Sequence, residues 1–192
     1  MTLTTLDDRT ALVIIDLQQG IASSSTQPFT AADVVSRSAE LARAFRDRDL
    51  PVLPVRVSFA ADGADLVPGR TEQPRVARAM PDGWDRLVDE LVDERDSVVT
   101  KHNWNAFHGT DLDVQLRRRR VTQIVLTGIA TSIGVESTAR AAYEHGYHVT
   151  LATDAMSDLS ETAHNHSIDW IFPRLGETGS TSEVLTLLAD RD

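Results

Sequence analysis

Ile124-Val-Leu-Thr-Gly-Ile-Ala-Thr-Ser-Ile-Gly-Val-Glu-Ser-Thr-Ala-Arg-Ala-Ala-Tyr-Glu-His-Gly-Tyr147 passes from an apolar run through a glycine-containing turn into a segment with helical spacing. A short continuous apolar run suits a strand buried on both faces. Gly146, after Ala141-Ala-Tyr-Glu-His145, reads as the stop of the helix that follows the turn. Comparable apolar runs stand at residues 12–15, 52–57, 98–99 and 148–152, and segments of helical periodicity at 31–49, 84–94, 112–119, 132–145 and 161–172. Alternation of this kind predicts an α/β fold, with a mostly parallel sheet of roughly six strands covered by helices on both faces.

In open sheets of this class, ligands bind outside the carboxyl ends of the strands, near the point where strand order reverses. Asp16, Lys101 and the 128–134 turn all follow directly on strand-like runs. Three separate segments therefore deliver polar groups to one edge. Asp16 closes the run Leu12-Val-Ile-Ile15, where desolvation would raise its pKa unless a cation compensates; a structural alternative is capping of the Gln18 or Gln19 amides. Lys101 could supply that cation, or could be an ordinary strand-end lysine seeking solvent.

Bulk properties exclude several functions. The 192 residues are 41% hydrophobic and 25% charged, enough for one well-packed domain over 1–192. A net charge of −10 argues against a phosphate-backbone partner. The one basic run, Arg117-Arg-Arg-Arg120, falls where a helix should end and reads as cations on its C-terminus. No apolar run approaches the roughly 20 residues needed to span a bilayer, and the first eight residues lack a positive segment, so a cytoplasmic protein without membrane contact is expected. The absence of cysteine excludes disulfides, thiolate metal sites and a cysteine nucleophile. Residues 60–83 hold Pro68, Pro74, Pro81 and three glycines and read as a lid or binding loop.

Four signatures together, Ala11-Leu-Val-Ile-Ile-Asp-Leu-Gln18, Lys101 with Ala106-Phe-His-Gly-Thr-Asp-Leu112, Thr127-Gly-Ile-Ala-Thr131 and Glu136-Ser-Thr-Ala139, resemble the isochorismatase-like hydrolase superfamily. The resemblance implies a Rossmann-like three-layer αβα domain, a homo-oligomer, Asp16 and Lys101 as catalytic residues, and a cis peptide around Ala130-Thr131. It also implies that Gly134 stands where cysteine-using members carry their nucleophile. Glycine cannot form an acyl-enzyme. Isochorismatases proper resemble this chain in having glycine there: a carboxylic acid protonates a vinyl-ether carbon, and water captures the cation.

The resemblance, together with these residues, implies hydrolysis of a small organic molecule without cysteine, vinyl-ether hydrolysis heading the routes, with Asp16 as general acid and Lys101 as its electrostatic partner. Amides of Ala130, Thr131, Ile133 and Gly134 would receive an anionic group at a helix N-terminus. Phe59, Trp104 and Phe107 are candidate aromatic walls, although aromatics at such positions also serve as core. Amide or ester hydrolysis by Asp16-activated water is one alternative; a catalytically silent ligand-binding protein is another. No cofactor is called for. The region 55–59 lacks the Asp-x-His motif of nicotinamidase-type relatives, so no catalytic metal is expected. His164 and His166, two apart on a helical segment, read as surface or pocket-rim residues, as do His102 and His108. Arg56 reads as an ion-pair partner more than as a carboxylate receptor.

Overall fold

The computed structural model describes residues 3–66, 69–72 and 80–191. Six strands, β1 (Thr10–Ile15), β2 (Val52–Val57), β3 (Val99–Lys101), β4 (Gln123–Ile129), β5 (His148–Ser157) and β6 (Glu177–Gly179), form one sheet in the order β3-β2-β1-β4-β5-β6. Every neighbouring pair is parallel. The helices are α1 (Gln19–Ala22), α2 (Ala31–Arg46), α3 (Leu112–Arg118), α4 (Glu136–Glu144), α5 (Glu161–His166) and α6 (Thr181–Ala189).

β1 is buried throughout, and its side chains divide by pleat. Val13 and Ile15 join Leu53, Val55 and Leu126 under Leu116 of α3 and Ala139 of α4. Leu12 and Ile14 join Val52 and Val125 under Leu41 and Phe45 of α2 and Val184 of α6. This two-sided burial is why the run carries no polar alternation. α2 is started by Thr30, whose hydroxyl accepts from the Asp33 amide while the Asp33 carboxylate accepts from the Thr30 amide.

Several elements depart from the sequence reading. Residues 84–94 form turns with only a short 3₁₀ segment, Asp89–Leu91. Leu87 is drawn into an isolated antiparallel bridge with Gln18, which holds that stretch extended against the exit of β1. α6 and β6 were not anticipated; α6 is announced by a capping box of Ser180 and Glu183. The segments read as continuous helices from 132 and from 161 instead contain wide (π) turns, Thr131–Val135 and Ser167–Ile171. The cis peptide lies at Ile129-Ala130, one bond before the expected place. Of the long connection, Pro68 and Pro74 lie outside the described residues. Among the described residues, no helix is long and apolar enough to cross a membrane.

Strand order reverses between β1 and β4, so their carboxyl ends bound the crevice of the sheet. Gly128, opposite Ile15 in the ladder, has φ 127°, and a Cβ there would lie 2.1 Å from the Ile15 carbonyl oxygen. Both the backbone conformation and the close approach therefore require glycine. Gly128→Ala should lower unfolding free energy by more than about 3 kcal/mol in urea titration. A midpoint and slope matching wild type would show that the two strands tolerate greater separation.

Candidate active site

Asp16 leaves β1 with φ 55°, a left-handed conformation that Asp tolerates better than most residues. Its carboxylate sits at the floor of a cavity of about 690 Å³. Lys101 ends β3, two strands away, and its Nζ lies 2.8 Å from Asp16 Oδ2. Both side chains are nearly inaccessible, at 3% and 7% relative exposure for lysine and aspartate. Their juxtaposition follows from register: Ile15 pairs with Val55 on β2, and Val57 pairs with Lys101 on β3.

The pair is incompletely satisfied. Lys101 also donates to the Asn103 carbonyl at 3.0 Å, so two of the three ammonium hydrogens have acceptors among the described residues. Asp16 Oδ1 is buried with no hydrogen-bond partner there. The Gln18 amide meets the Asp16 backbone carbonyl at 2.9 Å, so the turn is closed by main chain and the Asp16 side chain is free of capping duty. Burial pushes the Asp16 carboxyl up to about 6, while the Lys101 charge and hydrogen bond hold it from rising further.

Gly134 stands directly over this carboxylate. A Cβ at that position would lie 3.1 Å from Asp16 Oδ2 and 2.9 Å from Ile15 Cγ2. Phe59, Trp104, Ala130 and Ile133 share the cavity wall with Gly134, Asp16 and Lys101. Ile21, Val57, Met80 and Leu159 add apolar wall that the sequence reading did not assign. His102 lies on the rim, its Nδ1 2.6 Å from the Ser58 carbonyl oxygen and 3.2 Å from Asp65 Oδ2.

Three expectations are corrected. Phe107 is packed away from the cavity, its ring stacked at 5.0 Å on His145 and tilted at 5.9 Å against Tyr147. The cause is Asn105, whose Oδ1 accepts from the Phe107 and His108 amides and turns that ring inward. Thr131 lies beneath the wall, its hydroxyl 2.8 Å from His164 Nδ1. His164 is accordingly buried and not a rim residue, and burial pushes its pKa below the ordinary value against the opposing fields of Asp158, Glu161 and Asp169. Arg56 lies 3.6 Å from Asp85 in an ion pair, and His166 and His108 are exposed.

Two amides of the turn are also engaged. Ser132 N–H donates to Asp158 Oδ2 at 2.7 Å, and Ile133 N–H to the Ala130 carbonyl at 3.2 Å. Asp158, whose other oxygen accepts from the Leu159 and Ser160 amides, thus engages the Ser132 donor of the turn. No motif announced it; an acidic residue just after a strand, ahead of Ser160, was the available signal. Gln18 is the second residue missed. Its amide donates to the Val57 carbonyl and accepts from the Val57 amide, fixing the end of β2 beside the cavity. Among the described residues, no group of three or more His, Asp or Glu side chains is placed to hold a metal ion.

A family model described as the isochorismatase domain matches residues 10–183. The chain is 44% identical over 180 residues to the isochorismatase family protein YecD of Escherichia coli O157:H7, covering 93% of this chain and 96% of that one. It is 30% identical to the ureidoacrylate amidohydrolase RutB of Variovorax paradoxus over 177 residues, covering 80% and 70%. A solved isochorismatase family protein from Burkholderia thailandensis superposes with a TM-score of 0.93 at 48% identity, covering 96% of this chain and 98% of that one.

Because Lys101 lowers the Asp16 pKa, Lys101→Met should drive that carboxyl's titration midpoint above 6. The check is the carboxylic-acid C=O stretch followed by infrared titration and assigned by its loss in Asp16→Asn. A midpoint that stays or falls in Lys101→Met would break the proposed coupling.

Proposed function

The chain belongs to the isochorismatase family, whose members are hydrolases, and from this we propose that it hydrolyses a small anionic vinyl ether with Asp16 as general acid. The observation that carries the reading is a buried Asp16 with one unpartnered carboxylate oxygen, on the wall of a largely apolar cavity and beside a buried ammonium with a hydrogen to spare. A carboxyl with a pKa near 6 is protonated often enough near neutrality to donate and acidic enough to protonate carbon.

With Asp16 protonated, the pair carries one positive charge, which attracts a substrate carboxylate or ether oxygen to the remaining Lys101 N–H. An anion held there disfavours a second negative charge and raises the Asp16 pKa again. Binding therefore charges the acid for its task. Asp16 gives its proton to the terminal vinyl carbon, leaving an oxocarbenium ion that the regenerated carboxylate stabilises. Water adds to the cation and loses a proton, and the resulting hemiketal breaks its C–O bond to give an alcohol and a methyl ketone. The methyl group retains the hydrogen supplied by Asp16. Gly134 leaves the approach to the carboxylate open, and with no cysteine in the sequence the route needs no covalent intermediate.

A second reading is favoured by the likeness to RutB: hydrolysis of an amide by water that ionised Asp16 activates. The two differ in the sign of their pH dependence. Acid catalysis loses kcat/KM as pH rises through about 6, because the protonated form disappears; base catalysis gains it over the same range. A turnover screen of carboxylated vinyl ethers and small amides in heavy water checks both. The expected result is vinyl-ether cleavage with one solvent deuterium in the product methyl, and a kcat/KM reduced roughly 10²- to 10⁴-fold in Asp16→Asn. Turnover of amides alone, with a rate rising through pH 6, would overturn the acid mechanism in favour of the second.

A further inference from the structure

At the amino ends of the strands, opposite the Asp16 edge, the chain builds a second concavity of about 570 Å³. Four loops meet there: Asp8-Arg9 before β1, residues 49–51 before β2, Arg95-Asp96 before β3, and Arg118-Arg-Arg-Val121 before β4. Its wall carries six arginines against three aspartates, in a chain whose net charge is −10. The local sign is therefore the reverse of the global one.

The arginines divide into those with side-chain partners and those without. Arg46 is nearly buried and pairs with Asp96 at 2.5 Å, Arg95 pairs with Asp93, and Arg119 donates to Ser97 and Gln115. Arg9, Arg118 and Arg120 are exposed, and none has a side-chain hydrogen bond or ion pair among the described residues. Of the acids, Asp96 is consumed by Arg46, Asp8 stands 3.9 Å from Arg191 and is fully exposed, and Asp49 alone lacks an ion-pair partner among the described residues.

Stabilisation of a helix C-terminus accounts for Arg117 and Arg118 in the last turn of α3. It does not account for Arg9 on another loop, or for Arg120, which is turned aside by a left-handed backbone with φ 57°. We propose that this concavity is a binding site for a small polyvalent anion bearing several phosphate or carboxylate groups, held by the forks of Arg9, Arg118 and Arg120. Planar guanidinium groups on separate loops match the multiple oxygens of such a ligand, and a pocket of this size suits a small molecule. An extended nucleic-acid backbone, by contrast, would also meet the acidic remainder of the surface.

The site is independent of the catalytic reading, and its test is calorimetric titration of the full chain with sodium tripolyphosphate and, separately, citrate in about 150 mM salt. The expected result is saturable one-to-one binding of at least one of them, tripolyphosphate alone indicating a phosphate ligand and citrate alone a carboxylate one. A triple variant, Arg9→Gln, Arg118→Gln and Arg120→Asn, should bind about tenfold or more weakly. All three side chains are exposed, asparagine tolerates the left-handed backbone at 120, and Arg117 remains to stabilise the end of α3, so the melting temperature should fall only slightly. Absence of saturable binding by either anion, equal binding by the triple variant, or tighter binding of a short DNA duplex than of both would overturn the proposal.

Discussion

The salt bridge between Asp16 and Lys101 is the interaction on which the arrangement of the site depends. Taking a carboxylate and an ammonium out of water costs several kcal/mol each, and attraction between them offsets that cost only where geometry is good and remaining polar atoms are satisfied. Here one carboxylate oxygen is left without a partner. Such a pair contributes little to folding, and a well-packed apolar pair would serve stability as well. Its placement at the sheet's switch point gives it a different use: a buried acid whose proton affinity is set by one neighbouring charge.

The parallel sheet makes that placement economical. Every strand points the same way, so β1, β2, β3 and β4 all release the chain at one edge, and short turns suffice to bring Asp16, Lys101 and Gly134 together. The opposite edge collects the loops that enter the strands, and there the arginines gather. Strand polarity thus separates an apolar cavity with a buried pair from a cationic one. Asp158 belongs to the same logic, for it follows β5 at this edge and accepts from the Ser132 amide at the start of the 131–135 turn.

The sequence revealed those features that follow from local chemistry. Continuous apolar runs identify β1, β2 and β4 because they are buried on both faces, and a polar residue at the end of a strand-like run marks Asp16 and Lys101 as edge groups. β6 was not legible, since three residues reading Glu-Thr-Gly carry no hydrophobic pattern. The 84–94 segment has helical spacing, yet its pairing with Gln18 overrides local preference. Phe107 and His164 show the same limit inside the site: whether a ring faces a cavity or a core depends on an Asn105 turn or a Thr131 hydroxyl contributed from elsewhere. One amide of the turn, that of Ser132, is taken by Asp158, which comes from just beyond β5 and could not be foreseen from the turn itself.

Gly134 acquires its meaning only from these contacts. In the sequence the resemblance implies that it holds the place of a nucleophile; in three dimensions it is the residue that stands beside the Asp16 carboxylate. The Cβ position is 3.1 Å from Oδ2, so any side chain there would shield the carboxylate it stands over. A residue that supplied a nucleophile would need Asp16 as its proton acceptor, and the acid would then serve that residue instead of the substrate. With glycine, no side chain at 134 stands between the cavity and the Asp16–Lys101 pair that lines it. On the proposed mechanism, the absence of a side chain at 134 and direct use of Asp16 are two aspects of one geometry, in which the smallest residue leaves the proton of its neighbour within reach of substrate.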